Sequence, residues 1–227
     1  MWGRIFIFSW GLSLQCAMAA PWTQEDGGLY SRIAIAHENV EGLQGWRTDA
    51  YAEYGLSPVW TFTGKLDRIA YPDASDFDAS GWRATLRRSL SKSGPWVSSL
   101  ELGAVWGEAL IGRTGCSDLG GEMRLGFGWS GDFQSRQTFA FAEVAGRLHQ
   151  DCTHERYALG IGQKIDDHLW SITQVWIDRN NRGTASDKLQ SELMWRGTHF
   201  DYAIGYRNEN GGDFVEAGVF LALARQF

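Results

Sequence analysis

Proline is scarce, with four among 227 residues, and no segment repeats at a collagen-like period. Beyond the first twenty residues there is no long apolar run, and the mean hydropathy is -0.29, which excludes a bundle of membrane-spanning helices. Basic residues are not in excess. Twenty-one Lys and Arg stand against 27 Asp and Glu, a net charge of -6, which argues against a general nucleic-acid binder. Charged residues at 21% and aromatics at 14% exclude disorder and coiled coil. What the chain does have is 28 glycines and 12 tryptophans. That pairing is odd for a soluble enzyme and suits a membrane β-barrel, and 25.4 kDa fits one all-β domain on the large side.

The first residues read as an export signal. Arg4 precedes an apolar stretch at 5–14, and Ala17-Met18-Ala19 matches the small-residue cleavage pattern. Cleavage after Ala19 divides the chain into a signal peptide at 1–19 and a barrel domain at 20–227. A membrane anchor is the competing reading, but so short an apolar stretch cannot cross about 30 Å of hydrocarbon. A lipoprotein signal at Cys16 would need a small residue before it, and Gln15 stands there. Export leaves Cys116 and Cys152 in an oxidising compartment, which suggests one disulfide.

Alternation at period two recurs to the end of the chain. In the stretch 46–56, one face carries Trp46, Thr48, Ala50, Ala52, Tyr54 and Leu56, and the other Arg47, Asp49, Tyr51, Glu53 and Gly55. The pattern predicts twelve strands, at 28–37, 45–56, 59–67, 81–90, 95–107, 117–129, 137–148, 155–164, 168–177, 187–196, 199–208 and 214–227. Compact turns alternate with longer polar links at 68–80, 108–116 and 178–186. Short turns on one side, longer loops on the other and an even strand count form the plan of an outer-membrane barrel. The expected fold is an all-β, transmembrane, antiparallel up-and-down barrel.

Tryptophan placement agrees. Trp46, Trp60, Trp82 and Trp96 fall at strand starts, Trp106, Trp129 and Trp195 near strand ends, and Trp170 and Trp176 bracket one strand. Together with Phe227 they are expected at the membrane interface, where an indole satisfies both its apolar body and its N–H. The last strand alternates through Val215, Ala217, Val219, Leu221 and Leu223 and closes on Phe227, which resembles the C-terminal strand of bacterial outer-membrane proteins; Arg225 departs from that pattern. The resemblance implies recognition of this strand by the barrel assembly machinery. Trp22 shortly before Gly28 and Tyr30, followed by Tyr51-Ala52-Glu53-Tyr54-Gly55-Leu56, resembles a broad, poorly characterised group of proteobacterial outer-membrane β-barrel proteins described as transporters. It implies architecture and no substrate.

With the apolar face toward outer-membrane lipid, the other face lines the lumen. It carries Arg47, Asp49, Glu53, Lys65, Arg83, Arg87, Glu101, Glu122, Arg124, Glu192, Asp201, Arg207 and Glu216, with Arg32, Asp67, Glu143, Arg147, Arg156, Lys164, Lys188 and Arg196 at the same parity. An Arg or Lys facing midplane lipid costs about 2–4 kcal/mol, so these groups must face inward. Phe139 and Phe141 share the parity of Glu143 and Arg147, and both faces of 168–177 are largely apolar, so parity there is not fixed. The remaining aromatics are expected at the rims.

Twelve strands lie between a filled barrel and an open pore. A porin-like channel or transporter for small polar or charged solutes, a plugged structural or surface-interaction barrel, and a lipid-modifying enzyme using one of His37, His149, His154, His168 or His199 remain the competing functions. Cys116 and Cys152 fall in neighbouring loops on one side, which predicts a disulfide between them. Neither the stretch 149–155 nor Gly160-Ile161-Gly162 matches a metal or nucleotide template, so no cofactor or metal is assigned, and no oligomeric state is encoded.

Overall fold

The computed structural model describes residues 21–107, 116, 118–150, 152–211 and 214–227. The expected signal peptide, most of the 108–116 link and Asp151 lie outside the described residues. Twelve antiparallel strands close into one barrel. They are β1 (Leu29–Val40), β2 (Leu43–Ser57), β3 (Trp60–Ala70), β4 (Ala79–Ser93), β5 (Trp96–Gly107), β6 (Gly120–Phe133), β7 (Arg136–His149), β8 (Thr153–Lys164), β9 (Leu169–Asn180), β10 (Ala185–Arg196), β11 (Asp201–Asn210) and β12 (Val215–Gln226). Each pairs with its sequence neighbours. β1 pairs with β12 from Tyr30–Gln226 to Val40–Glu216, which leaves no free sheet edge.

Most strands run two or three residues beyond the alternating segments, because polar residues at their ends continue the ladder outside the apolar zone. The β1–β2 link shrinks to Glu41-Gly42, both at positive φ (50° and 90°), as a two-residue hairpin turn requires. The Asn39 side chain supports it by accepting a 2.9 Å hydrogen bond from Gly42 N–H. The β9–β10 link contracts likewise to 181–184, and the β3–β4 link from 68–80 to 71–78, where it holds a single 3₁₀ turn at Ser75–Phe77. At the opposite end, Asp166 accepts from the N–H groups of His168 and Leu169 in the β8–β9 turn, and these bonds hold its carboxyl below the usual carboxylate range.

The outer wall is apolar on every side. Ile33, Leu66, Leu102, Phe127, Leu159, Leu193, Ile204 and Leu221 all project from it. A continuous apolar surface of this extent is unfavourable in water and matched by hydrocarbon. Trp46, Trp82 and Trp106 stand on the outer wall toward the longer loops; Trp60, Trp96, Trp129, Trp195 and Phe227 stand toward the short turns. Trp82 opposes Trp106 across β4–β5, and Trp96 opposes Trp129 across β5–β6. Arg225, the departure in the last strand, lies 4.2 Å from the Phe227 ring centroid and 5.2 Å from that of Phe200. Its charge is met by aromatic faces at the rim.

Trp170 and Trp176 require correction. Both point into the barrel, Trp170 fully buried and Trp176 packed against the interior cluster. Pairing with β8 and β10 places Gln174 and Asp178 on the inner side of β9, and the even positions go with them. Trp170 fills a niche between Phe139, 6.1 Å away, and Arg196, 5.3 Å from its ring. The interior is therefore not free of aromatics. Phe139, Phe141, Trp170, Ile172, Met194, Ala203, Phe220 and Ala222 form an apolar inner wall over β7 and β9–β12, continued by Ala34 and Ala36 of β1.

Glycine on adjacent strands makes that wall possible. Phe139 opposes Gly162, Phe141 opposes Gly160, and Phe220 opposes Gly205. A Cβ at any of these glycines would fall within 1.9–2.3 Å of the facing ring, so the aromatic lies flat over bare backbone. Gly160-Ile161-Gly162 is the partner of two phenylalanines.

Candidate functional site

Charged side chains line the inner wall on nearly every strand. Arg47, Asp49, Glu53, Lys65, Arg83, Arg87, Glu101, Glu122, Arg124, Glu192, Asp201, Arg207 and Glu216 all occupy inward positions of their strands. Arg87, Arg124, Arg47 and Arg207 each bridge two carboxylates. Arg87 meets Glu53 at 2.7 Å and Glu101 at 2.8 Å. Arg124 meets Glu122 and Glu143, both at 2.9 Å. Arg47 meets Glu38 at 2.8 Å and Glu216 at 3.1 Å. Arg147 donates to Glu122, and Arg32 reaches across the β1–β12 seam to Glu192 at 2.7 Å. Arg207 binds Gln190 at 2.9 and 3.0 Å and Asp49 at 3.2 Å, while Lys65 lies between Asp49 and Asp67. Asp201 sits apart from this network, at the rim near Arg196.

Glu38 is a member that the sequence reading omitted. It is wholly buried and accepts from Arg47 and Arg207. Its parity on β1 matches Arg32, so the alternation would have placed it had β1 been carried to Val40.

A second omission has more consequence. Residues 21–28 enter the lumen from the short-turn end and pack against the wall. Arg87 donates 2.9 Å to the Trp22 carbonyl, Gln24 N–H donates 2.8 Å to the Thr61 hydroxyl, and the Gln24 amide donates to Glu53. The Gln226 amide donates back to Gln24 at 3.1 Å, and Gly27 and Gly55 N–H groups reach Gly55 and Gly28 carbonyls at 2.9 Å. The trp22 ring meets Phe139 edge-on. Inner-face glycines make the room: a Cβ on Gly126 or Gly128 would come within 2.8 Å of Pro21, and one on Gly55 would overlap the Glu25 carbonyl. The cue in the sequence was glycine at inward positions of β2 and β6, at Gly55, Gly126 and Gly128.

Above this plug, toward the longer loops, lies a cavity of about 270 Å³. Its wall includes Arg47, Asp49, Lys65, Arg83, Arg124, Glu143, Arg147, Arg156, Lys188 and Arg207, with Phe141, Trp176 and Phe220 set among them. Val40, Ile69, Tyr71 and Phe214 cluster at the loop end, and burial pushes the Tyr71 phenol up to about 12. Cys116, which borders the cavity, forms a disulfide with Cys152, tying the links on either side of the β6–β7 hairpin. The histidines are dispersed. His37 faces outward against Trp46, His168 stacks on Trp195, and His154 lies 3.1 Å from Asp178 in the lumen. Among the described residues no group of three His, Cys, Asp or Glu is placed to hold a metal ion.

No family model matches the chain, and no curated protein matches it in sequence. Solved structures match in fold. The NanC porin superposes with a TM-score of 0.63 at 7% identity, covering 85% of this chain and 98% of its own. An outer-membrane channel from Pseudomonas putida F1 gives 0.61 at 9% identity, covering 94% and 100%. The KdgM porin gives 0.56 at 6% identity, covering 84% and 97%. At these identities the likeness is one of fold.

Proposed function

We propose that this protein is a narrow porin-like channel of the bacterial outer membrane, passing small polar or charged solutes, with its lumen closed at rest by residues 21–28. The single observation that carries the reading is the cavity above the plug, walled largely by ionic side chains inside a barrel whose outside is apolar. Fixed charge lining a passage sets which solutes enter it. Barrels of the same fold include porins and an outer-membrane channel. Export by a signal peptide cut after Ala19 would leave the new amino terminus next to Pro21, so that segment could enter the lumen only once the signal is gone. The alternating last strand ending in Phe227 serves assembly, and the short-turn end faces the periplasm with both chain ends.

Planar-bilayer recording tests this. The native barrel should open rarely, and Gly128→Leu, whose side chain occupies the place of Pro21 and Trp22, should raise mean conductance at least about tenfold if the segment is the barrier. The plug also favours a second reading, a closed barrel presenting its acidic 71–78 loop to a surface partner. Silence from both native and Gly128→Leu barrels, each shown to be folded, would reject the channel and leave that one.

A further inference from the structure

We infer that the cavity above the plug is a binding site for small anions carrying a flat apolar ring, with an aromatic carboxylate as the simplest member; this deepens the channel reading and rests on it.

The charge the cavity presents differs from the charge of the molecule. The chain is net negative, yet nine Lys and Arg side chains border the cavity against five carboxylates. The difference is one of depth. Glu38, Glu122, Glu192 and Glu216, which neutralise much of this wall, are 0–5% exposed and do not border the cavity. They lie beneath the guanidinium groups they pair with. A solute therefore meets arginine tips in front of a low-dielectric wall, an arrangement that focuses positive potential into the space.

Donor capacity is left over as well. Arg83 is buried and borders the cavity, and its Nε has no hydrogen-bond partner among the described residues. It reaches Glu122 only at 3.5 Å, while Glu122 is already held by Arg124 and Arg147. The Nε of Arg124 is unpartnered in the same way. The Arg83 guanidinium, bordering the cavity and only weakly paired, has capacity left for a charge-assisted bond to an incoming carboxylate.

Aromatic rings stand among the charges of the same wall. Phe220 sits between Arg32 and Arg207, each guanidinium carbon 5.8 Å from its centroid, and Phe141 and Trp176 border the same space. A ring lying on these aromatics would leave its carboxylate among the guanidinium groups that border the cavity, Arg83 included. A cavity of about 270 Å³ suits a single ring and not an oligomer. A cation of the same shape would meet like charge, and a small aliphatic anion would leave the aromatic rings unused.

Calorimetric titration of the folded mature barrel in detergent separates these features, using benzoate, benzylammonium and acetate. Benzoate should bind saturably, acetate about tenfold more weakly, and benzylammonium not at all. Arg83→Gln should weaken benzoate about tenfold, the scale of one charge-assisted hydrogen bond, while Glu122 keeps its two other arginines. Phe220→Leu should weaken benzoate and leave acetate unchanged. Heat-modifiable electrophoretic mobility verifies that each variant is folded. Equal binding of benzylammonium, or no saturable benzoate heat, would overturn the inference. In bilayers under a salt gradient, the Gly128→Leu barrel should favour chloride over potassium. An open, cation-selective barrel would overturn the anion site and keep the channel, and a silent barrel that still binds benzoate would do the reverse.

Discussion

Arg87 shows how much of this barrel depends on single buried charges. It is 1% exposed, bridges Glu53 and Glu101, and also holds the Trp22 carbonyl. Arg87→Ala leaves two buried carboxylates uncompensated and should destabilise the barrel by about 3–5 kcal/mol, read from urea unfolding in lipid vesicles by tryptophan fluorescence. On the other side of the wall the sign reverses. Leu102 projects outward from mid-strand, and Leu102→Arg should cost about 2–4 kcal/mol in the same assay because the new charge faces hydrocarbon. Such parity was legible in β2, where Arg47, Asp49 and Glu53 alternate with Trp46, Thr48 and Tyr54. It was not legible in β9, whose two faces are nearly equally apolar, and only pairing with β8 and β10 turned Trp170 and Trp176 inward.

At the scale of elements, the strands could be counted from alternation but not ended. Ladder hydrogen bonds continue through polar residues that carry no period, so β4 runs to Ser93 and β6 to Phe133. The links shorten accordingly. The β6–β7 hairpin illustrates the consequence, since its two-residue turn brings Cys116 and Cys152 together although 36 positions separate them. Peptide mapping of unreduced protein should recover them as one linked pair, and two free thiols would contradict the arrangement. Cys152→Ser should leave the barrel closed, because the ladder from Gly120–His149 to Phe133–Arg136 is independent of the bond; the measurement is heat-modifiable mobility without reductant.

For the whole molecule, the joining of an apolar cluster and an ionic network in one interior follows from which strands closure brings together. Neither the cluster nor the network is visible as a block in the chain, because β7 contributes both Phe139 and Glu143 to the same inner face. The plug is likewise a product of closure. Residues 21–28 carry no periodic signal, and their place is defined by Thr61, Glu53, Arg87 and Gln226, drawn from four different strands. Alternation, turn chemistry and aromatic content, all local properties of the backbone and its neighbours, determined from the sequence alone that this is a twelve-stranded barrel with charge inside. Only the tertiary structure decided what stands in the lumen, because cavity, plug and depth of each carboxylate depend on contacts across the barrel axis, between residues that no local period relates.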